Sequence, residues 1–150
     1  MDNYQIQLDK NPVTGFAVID KDLVLAHEKV VESRFSSLKN YLESLKPYII
    51  LPSILVCNKT NVIIDGHHRY HALVSLGISE VPVTYLDYAS KYIVVDPDEK
   101  ISKERIVEAG LSGSLLEPKS SFHHIKDHNN NYYPIILLST IYSVKNEFEQ

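Results

Sequence analysis

The sequence predicts a mixed α/β (α+β) fold, a small mixed β-sheet flanked by helices. Three observations lead there. Short β-branched runs alternate with segments whose apolar residues recur every three or four positions. The chain has 150 residues, about one domain's worth, and no repeat or low-complexity stretch divides it, so 1–150 reads as one domain. Hydrophobic residues make up 44% and charged residues 23%, the balance of a chain that buries a core rather than one that stays disordered.

Taken in order, Phe16 to Ile19 reads as a strand stopped by Asp20-Lys21-Asp22. Leu23 to Glu28 has no helical or strand period and reads as a shaped loop. Phe35, Leu38, Leu42 and Leu45 then mark one face of a helix, with Ser33 as its N-cap and Pro47 at its end. Pro52 to Val56, the Asn58–Asn61 turn cluster and Val62 to Ile64 read as a hairpin. Asp65-Gly66 breaks the second strand, and Arg69 to Leu76 forms a helix closed by Gly77. Val81 to Leu86 is a further strand and Tyr92 to Val95 another. Ser102 caps a helix running through Ala109, and Ile135 to Leu138 reads as the last strand.

Composition removes several classes of function. With 15 Lys and Arg against 19 Asp and Glu, the net charge is −4, which argues against a nucleic-acid partner. Cys57 is the single cysteine, so no internal disulfide forms and a reducing, cytoplasmic setting is expected; it reads as a small core residue. Apolar runs such as Ile49-Ile50-Leu51 fall far short of the roughly 20 residues of a membrane span, so no membrane partner is expected. Tyr70, Tyr85, Tyr88 and Tyr92 read as packing residues, since basic residues do not interleave with them.

The unusual feature is histidine. Of seven, His67, His68 and His71 form one cluster, His123, His124 and His128 a second, and His27 stands apart beside Glu28. Around the first cluster, Ile63-Ile64-Asp65-Gly66-His67-His68-Arg69-Tyr70 places a carboxylate at a strand end, a glycine in a tight turn and two imidazoles with a guanidinium at a helix start. Free backbone N–H groups and the positive end of the helix dipole suit an anion there, phosphate above all, with Arg69 as a bidentate partner. Two plainer readings stay open: a solvated Asp65–Arg69 ion pair beside surface histidines, or a metal shared by His67 and His71, for which no third ligand is evident. Pro118-Lys119-Ser120-Ser121-Phe122-His123-His124 offers an ammonium, two hydroxyls and imidazoles, again an inventory for phosphate oxygens, though a polar loop has the same composition. Glu28 has the chemistry of a general base for a hydroxyl proton.

In this order the motifs resemble those of the free L-serine kinases of the ParB/sulfiredoxin-like fold. The resemblance runs from about Phe16 to Leu138, with Leu86-Asp87-Tyr88 as a weaker match. It implies transfer of the terminal phosphate of ATP or ADP, with Mg²⁺, to the hydroxyl of free L-serine, giving O-phosphoserine. Under it Glu28 falls on the catalytic base, and Asp65 lies beside the transferring phosphate. Gly66, His67, His68 and Arg69 fall on one phosphate-binding motif, and Lys119, Ser120, Ser121 and His123 on the other. The serine contacts stay unassigned; Arg34 is either a substrate contact or a helix-start residue. Two alternatives accompany this reading: a nucleotide-sensing binding module without phosphoryl transfer, and a kinase of another small hydroxyl compound. A sulfiredoxin activity is disfavoured because His67 stands at that family's reactive cysteine.

Overall fold

The computed structural model describes residues 8–95, 101–119 and 121–145. Its centre is a four-stranded mixed sheet in the order β1-β5-β3-β4, made of β1 (Val13–Asp20), β3 (Ile54–Cys57), β4 (Ile63–Asp65) and β5 (Glu80–Leu86). The parallel pair β3–β5 lies between two antiparallel pairs. The helices are α1 (Glu32–Ser44), α2 (His67–Ser75) and α3 (Lys103–Ser112).

Strand β3 explains why the sheet is covered on both faces. All four of its residues are buried, and alternation sends them to opposite sides. Ile54 and Val56 join Leu42, Ile63, Leu73 and Val83 in a core that also takes in Phe35 and Leu38 of α1. Leu55 and Cys57 join Ile64, Leu86, Ile106 and Ile125 in a second core beneath α3. The strand thus holds helices on both sides and makes the end of β4 a rim between them.

The expected small mixed sheet with flanking helices is present, as is the buried Cys57. Three boundaries and assignments differ. Helix α1 begins at Glu32 after Val31, and no side chain caps it; Ser33 lies inside the helix. Helix α2 begins at His67, two residues before Arg69, because Gly66 adopts φ 114° and turns the chain directly into helix. Its other end is as expected: Gly77, at φ 84°, follows the helix, and the Ile78 N–H returns to the Leu73 carbonyl at 3.1 Å. Ile135–Leu138 is a 3₁₀ turn following Pro134, not a strand, and Leu137 is 57% exposed.

Two small sheets complete the described chain. Strand β2 (Tyr48–Pro52) pairs with β9 (Ile141–Lys145), and β7 (His123–Lys126) lies between β6 (Ile93–Val95) and β8 (Tyr132–Pro134). Among the described residues no helix is long and apolar enough to cross a membrane.

One close approach locks α3 to the sheet. A Cβ built on Gly110 would lie 2.6 Å from Val62 Cγ1, so the helix backbone rests directly on that side chain. Gly110→Ala is expected to destabilise the protein by about 1–3 kcal/mol in urea unfolding, although alanine ordinarily favours a helix interior by about 1 kcal/mol. Adding Val62→Ala should leave the pair less destabilised than the sum of the single variants.

Candidate active site

The rim at the end of β4 receives three chain segments. The first is the loop ahead of α1, which is held from both sides. The Leu25 N–H donates to the Asn61 carbonyl at 3.0 Å and the Ile63 N–H to the Leu25 carbonyl at 2.8 Å. Further along, the Lys29 N–H donates to the Leu116 carbonyl at 2.9 Å and the Leu116 N–H to the His27 carbonyl at 2.8 Å. Between these straps His27 is fully buried and Glu28 is only 9% exposed. Burial raises the Glu28 pKa above the usual carboxylate value, and the nearby Asp65 charge adds to the rise; hydrogen bonds from Ser121 and from the Lys119 and Ser121 backbone oppose it.

The second segment is the start of α2. No side chain caps this helix, so its first-turn N–H groups meet whatever occupies the rim. Its imidazoles face the other way, toward the loop. His67 Nε2 accepts the His27 N–H at 3.0 Å and, more loosely, the Glu28 N–H at 3.4 Å. His68 Nε2 accepts the Val31 N–H at 3.0 Å, the part a capping-box side chain plays at a helix start. Both Nε2 atoms are acceptors, so these rings are neutral with the proton on Nδ1. Burial pushes the His67 pKa well down and lowers that of His68 too.

Arg69 departs from the expectation of a phosphate fork. Its Nη2 donates to the Ser53 carbonyl at 3.0 Å and lies 3.7 Å from Asp65 Oδ2. The Arg69 side chain is 12% exposed and that of Asp65 39%, so the Asp65 pair exists, with its cation buried and its carboxylate reached by solvent. The guanidinium packs over Gly66, where a Cβ would come within 2.9 Å of Nη2. Arg69 therefore pins the turn to the β2–β3 link.

The third segment leads into β7. The Ser121 hydroxyl lies 2.7 Å from Glu28 Oε2 and 2.6 Å from His27 Nε2, so it faces the candidate base rather than open space. His123 Nε2 meets the Tyr88 hydroxyl at 2.7 Å. Burial pushes His123 down to about 3 and His27 to about 4, which keeps both rings neutral. Lys119 is exposed in a left-handed turn at φ 60°, and Ser120 lies outside the described residues.

These segments enclose a cavity of about 470 Å³, within the range of small-ligand sites. Glu28, Asp65, Gly66, His67, His68, Arg69, Lys119, Ser121 and His123 all line it, together with Arg34. Of the three buried polar side-chain atoms without a hydrogen-bond partner among the described residues, Arg69 Nε and His123 Nδ1 belong to lining residues. Sequence reasoning missed His27 and Tyr88 as site residues; the one available signal was the adjacency of His27 to Glu28. The histidine clusters of the sequence dissolve. His71 packs on Tyr70, His124 on Tyr132, and His128 beside Asp9. The spatial group is instead His27, His67 and His123, with ring centroids 4.4 and 6.3 Å from that of His27. Among the described residues no group of three or more His, Cys, Asp or Glu side chains is placed to hold a metal ion.

No family model matches the chain. It is 33% identical over 82 residues to a ParB-like protein of Sulfolobus acidocaldarius, a match covering 50% of this chain and 40% of that protein. It is 36% identical over 78 residues to an ATP-dependent L-serine kinase of Staphylothermus marinus, covering 47% of this chain and 29% of the enzyme. These matches thus span less than half of either relative. A glutamate-to-glutamine variant of a free serine kinase, solved in complex with AMP, superposes with a TM-score of 0.67 over 98% of both chains at 16% identity. That likeness shows a mixed α/β fold of the ParB-like class. Within that class, the chain has the fold of the free serine kinases over nearly its whole length, and its sequence likeness to an L-serine kinase extends over about half of it.

The neutral histidines make stability depend on pH. His27 and His123 bind protons more weakly folded than unfolded, so the unfolded state gains protons first as pH falls. Their burial is harmless above about pH 6.5 and increasingly costly from there down toward pH 4 and 3. Urea midpoints should therefore fall between pH 7 and 4, and His123→Gln should flatten that slope.

Proposed function

We propose that the cavity is the active site of a kinase that transfers the terminal phosphate of a nucleotide to the hydroxyl of free L-serine, giving O-phospho-L-serine. The observation that carries this reading is the pairing of a buried, proton-avid Glu28 with an uncapped helix N-terminus in one cavity. Phosphoryl transfer asks little covalent chemistry of the protein: it needs positioned reactants, charge stabilisation and an acceptor for one proton. ATP is favoured as donor because the Staphylothermus marinus relative is an ATP-dependent L-serine kinase; ADP is the second candidate.

In the proposed step the serine hydroxyl oxygen bonds to the terminal phosphorus, and the bond to the bridging oxygen breaks toward the departing nucleotide. The hydroxyl proton passes to Glu28. A carboxylate whose pKa is raised toward neutrality holds such a proton better than an exposed one. Backbone N–H groups of Gly66, His67 and His68, with Lys119 and Arg34 at the cavity wall, neutralise the transferring phosphate. Asp65 stands beside it at the mouth of the turn. Mg²⁺ would supply further charge neutralisation. With no converging three-ligand set among the described residues, it would enter on the nucleotide phosphates, and no residue is assigned to it.

Glu28→Gln is expected to lower O-phosphoserine formation by about 10²–10⁴-fold while nucleotide affinity, measured by calorimetry, changes little. Unchanged turnover would remove Glu28 as base. Nucleotide binding by the unmodified protein with no turnover of serine would point to a binding module. Turnover restricted to other hydroxyl compounds in an acceptor panel would reassign the substrate.

A further inference from the structure

The contacts behind Glu28 hold one hydrogen too few. His27 Nδ1 faces the Ile63 carbonyl, which can only accept, so Nδ1 carries the ring proton and Nε2 of the neutral ring is a lone pair. That lone pair faces Ser121 Oγ at 2.6 Å, and the same oxygen lies 2.7 Å from Glu28 Oε2. Ser121 has a single hydroxyl hydrogen. When Glu28 is a carboxylate, the hydrogen serves one neighbour and leaves the other contact, a short one between two buried acceptors, without any hydrogen. Adding one proton satisfies both.

We propose that Glu28, Ser121 and His27 form a one-proton relay in which His27, acting through Ser121, is a positioning residue that raises the proton affinity of Glu28 by drawing the Ser121 hydrogen away from the carboxylate. In the loaded state Glu28 Oε2–H donates to Ser121 Oγ, whose own hydrogen donates to His27 Nε2. Two hops along the same contacts, the Ser121 hydrogen to His27 Nε2 and the Glu28 hydrogen to Ser121 Oγ, would make His27 a cation and Glu28 an anion with no heavy atom displaced; burial of the ring keeps the resting proton at the Glu28 end. His27 is fully buried, so the relay is closed at that end: it stores the proton, and Glu28 releases it on the cavity side. Ser121 is thereby reassigned from phosphate contact to partner of the base. The relay's role in catalysis rests on the kinase reading; its existence does not.

Other titratable groups surround the relay. Asp65 on β4 raises Glu28 and the Lys119 backbone lowers it. The neutral rings of His67 on α2 and His123 on β7 flank His27, and Arg34, His68 and Arg69 line the same cavity. None is altered by the variants that follow.

His27→Asn retains a donor near the Nδ1 position and deletes the Nε2 acceptor, whereas His27→Gln places an amide oxygen near Nε2. The readout is the titration of the Glu28 carboxyl carbon by ¹³C NMR in the free protein, which needs no substrate. His27→Asn should lower the Glu28 midpoint by about one pH unit, and His27→Gln should largely restore it. In a Ser121→Ala background, His27→Asn should cause no further change. No shift in His27→Asn, or an equal shift with and without Ser121, overturns the relay.

If His27→Asn does not fold, the wild-type His27 Nε2 ¹⁵N shift should follow the Glu28 titration in native protein and lose that dependence in Ser121→Ala; independence in the native protein overturns the proposal. The acidic limb of kcat/KM should move with the carboxyl midpoint. A midpoint that moves without the limb leaves the relay standing and removes Glu28 as base.

Discussion

The Glu28 carboxyl sits in a place that water hardly reaches, and much of the site follows from that constraint. Desolvation makes the ionised form expensive. A cationic neighbour would relieve the cost and destroy the effect, since a carboxylate paired with a cation gives up its affinity for protons. The three grouped imidazoles of His27, His67 and His123 are themselves buried and therefore neutral. They satisfy hydrogen bonds without supplying charge. The same low dielectric that raises the carboxyl removes the histidines' positive charge, so one physical cause sets both sides of the site.

Holding a carboxyl in that position is the work of the backbone around it. The loop carrying Glu28 has no regular structure, and its N–H and C=O groups are taken up by Asn61 and Ile63 on one side and Leu116 on the other. His67 and His68 fasten the same loop to α2, so the uncapped helix start and the loop that carries Glu28 are a single unit. Arg69 ties the turn beneath them to the β2–β3 link. Residues with the chemistry of ligand contacts are spent on tying the frame, and backbone N–H groups are left for the ligand.

Much of the fold was legible from local pattern. The strands β3, β4 and β5 are dense in β-branched and apolar residues because both faces of the sheet are covered there, β1 mixes half-buried and exposed positions at the sheet edge, and α1 shows its apolar stripe. The β2–β9 pair was not legible, because Tyr48–Pro52 finds its partner in Ile141–Lys145, far along the chain, where no local period announces it. Ile135–Leu138 misled for a related reason: a four-residue apolar run is compatible with strand or turn, and here Ile135 and Leu138 meet the core while Ile136 and Leu137 are exposed.

The sequence by itself determined the mixed α/β class, the strand–glycine–helix at Asp65–Arg69 and the candidacy of Glu28, since each depends on neighbours a few positions away. It also named ten candidate site residues, nine of which the structure lines up along one cavity, Ser120 lying outside the described residues. What individual atoms do there was decided only by tertiary structure. His27, His67 and His123 come from three distant segments, and their shared burial comes from how those segments pack. Whether Arg69, His67 or Ser121 faces a ligand or its own frame depends on which carbonyl, amide or carboxylate lies within 3 Å. That is a property of the packed molecule, which no spacing along the chain encodes.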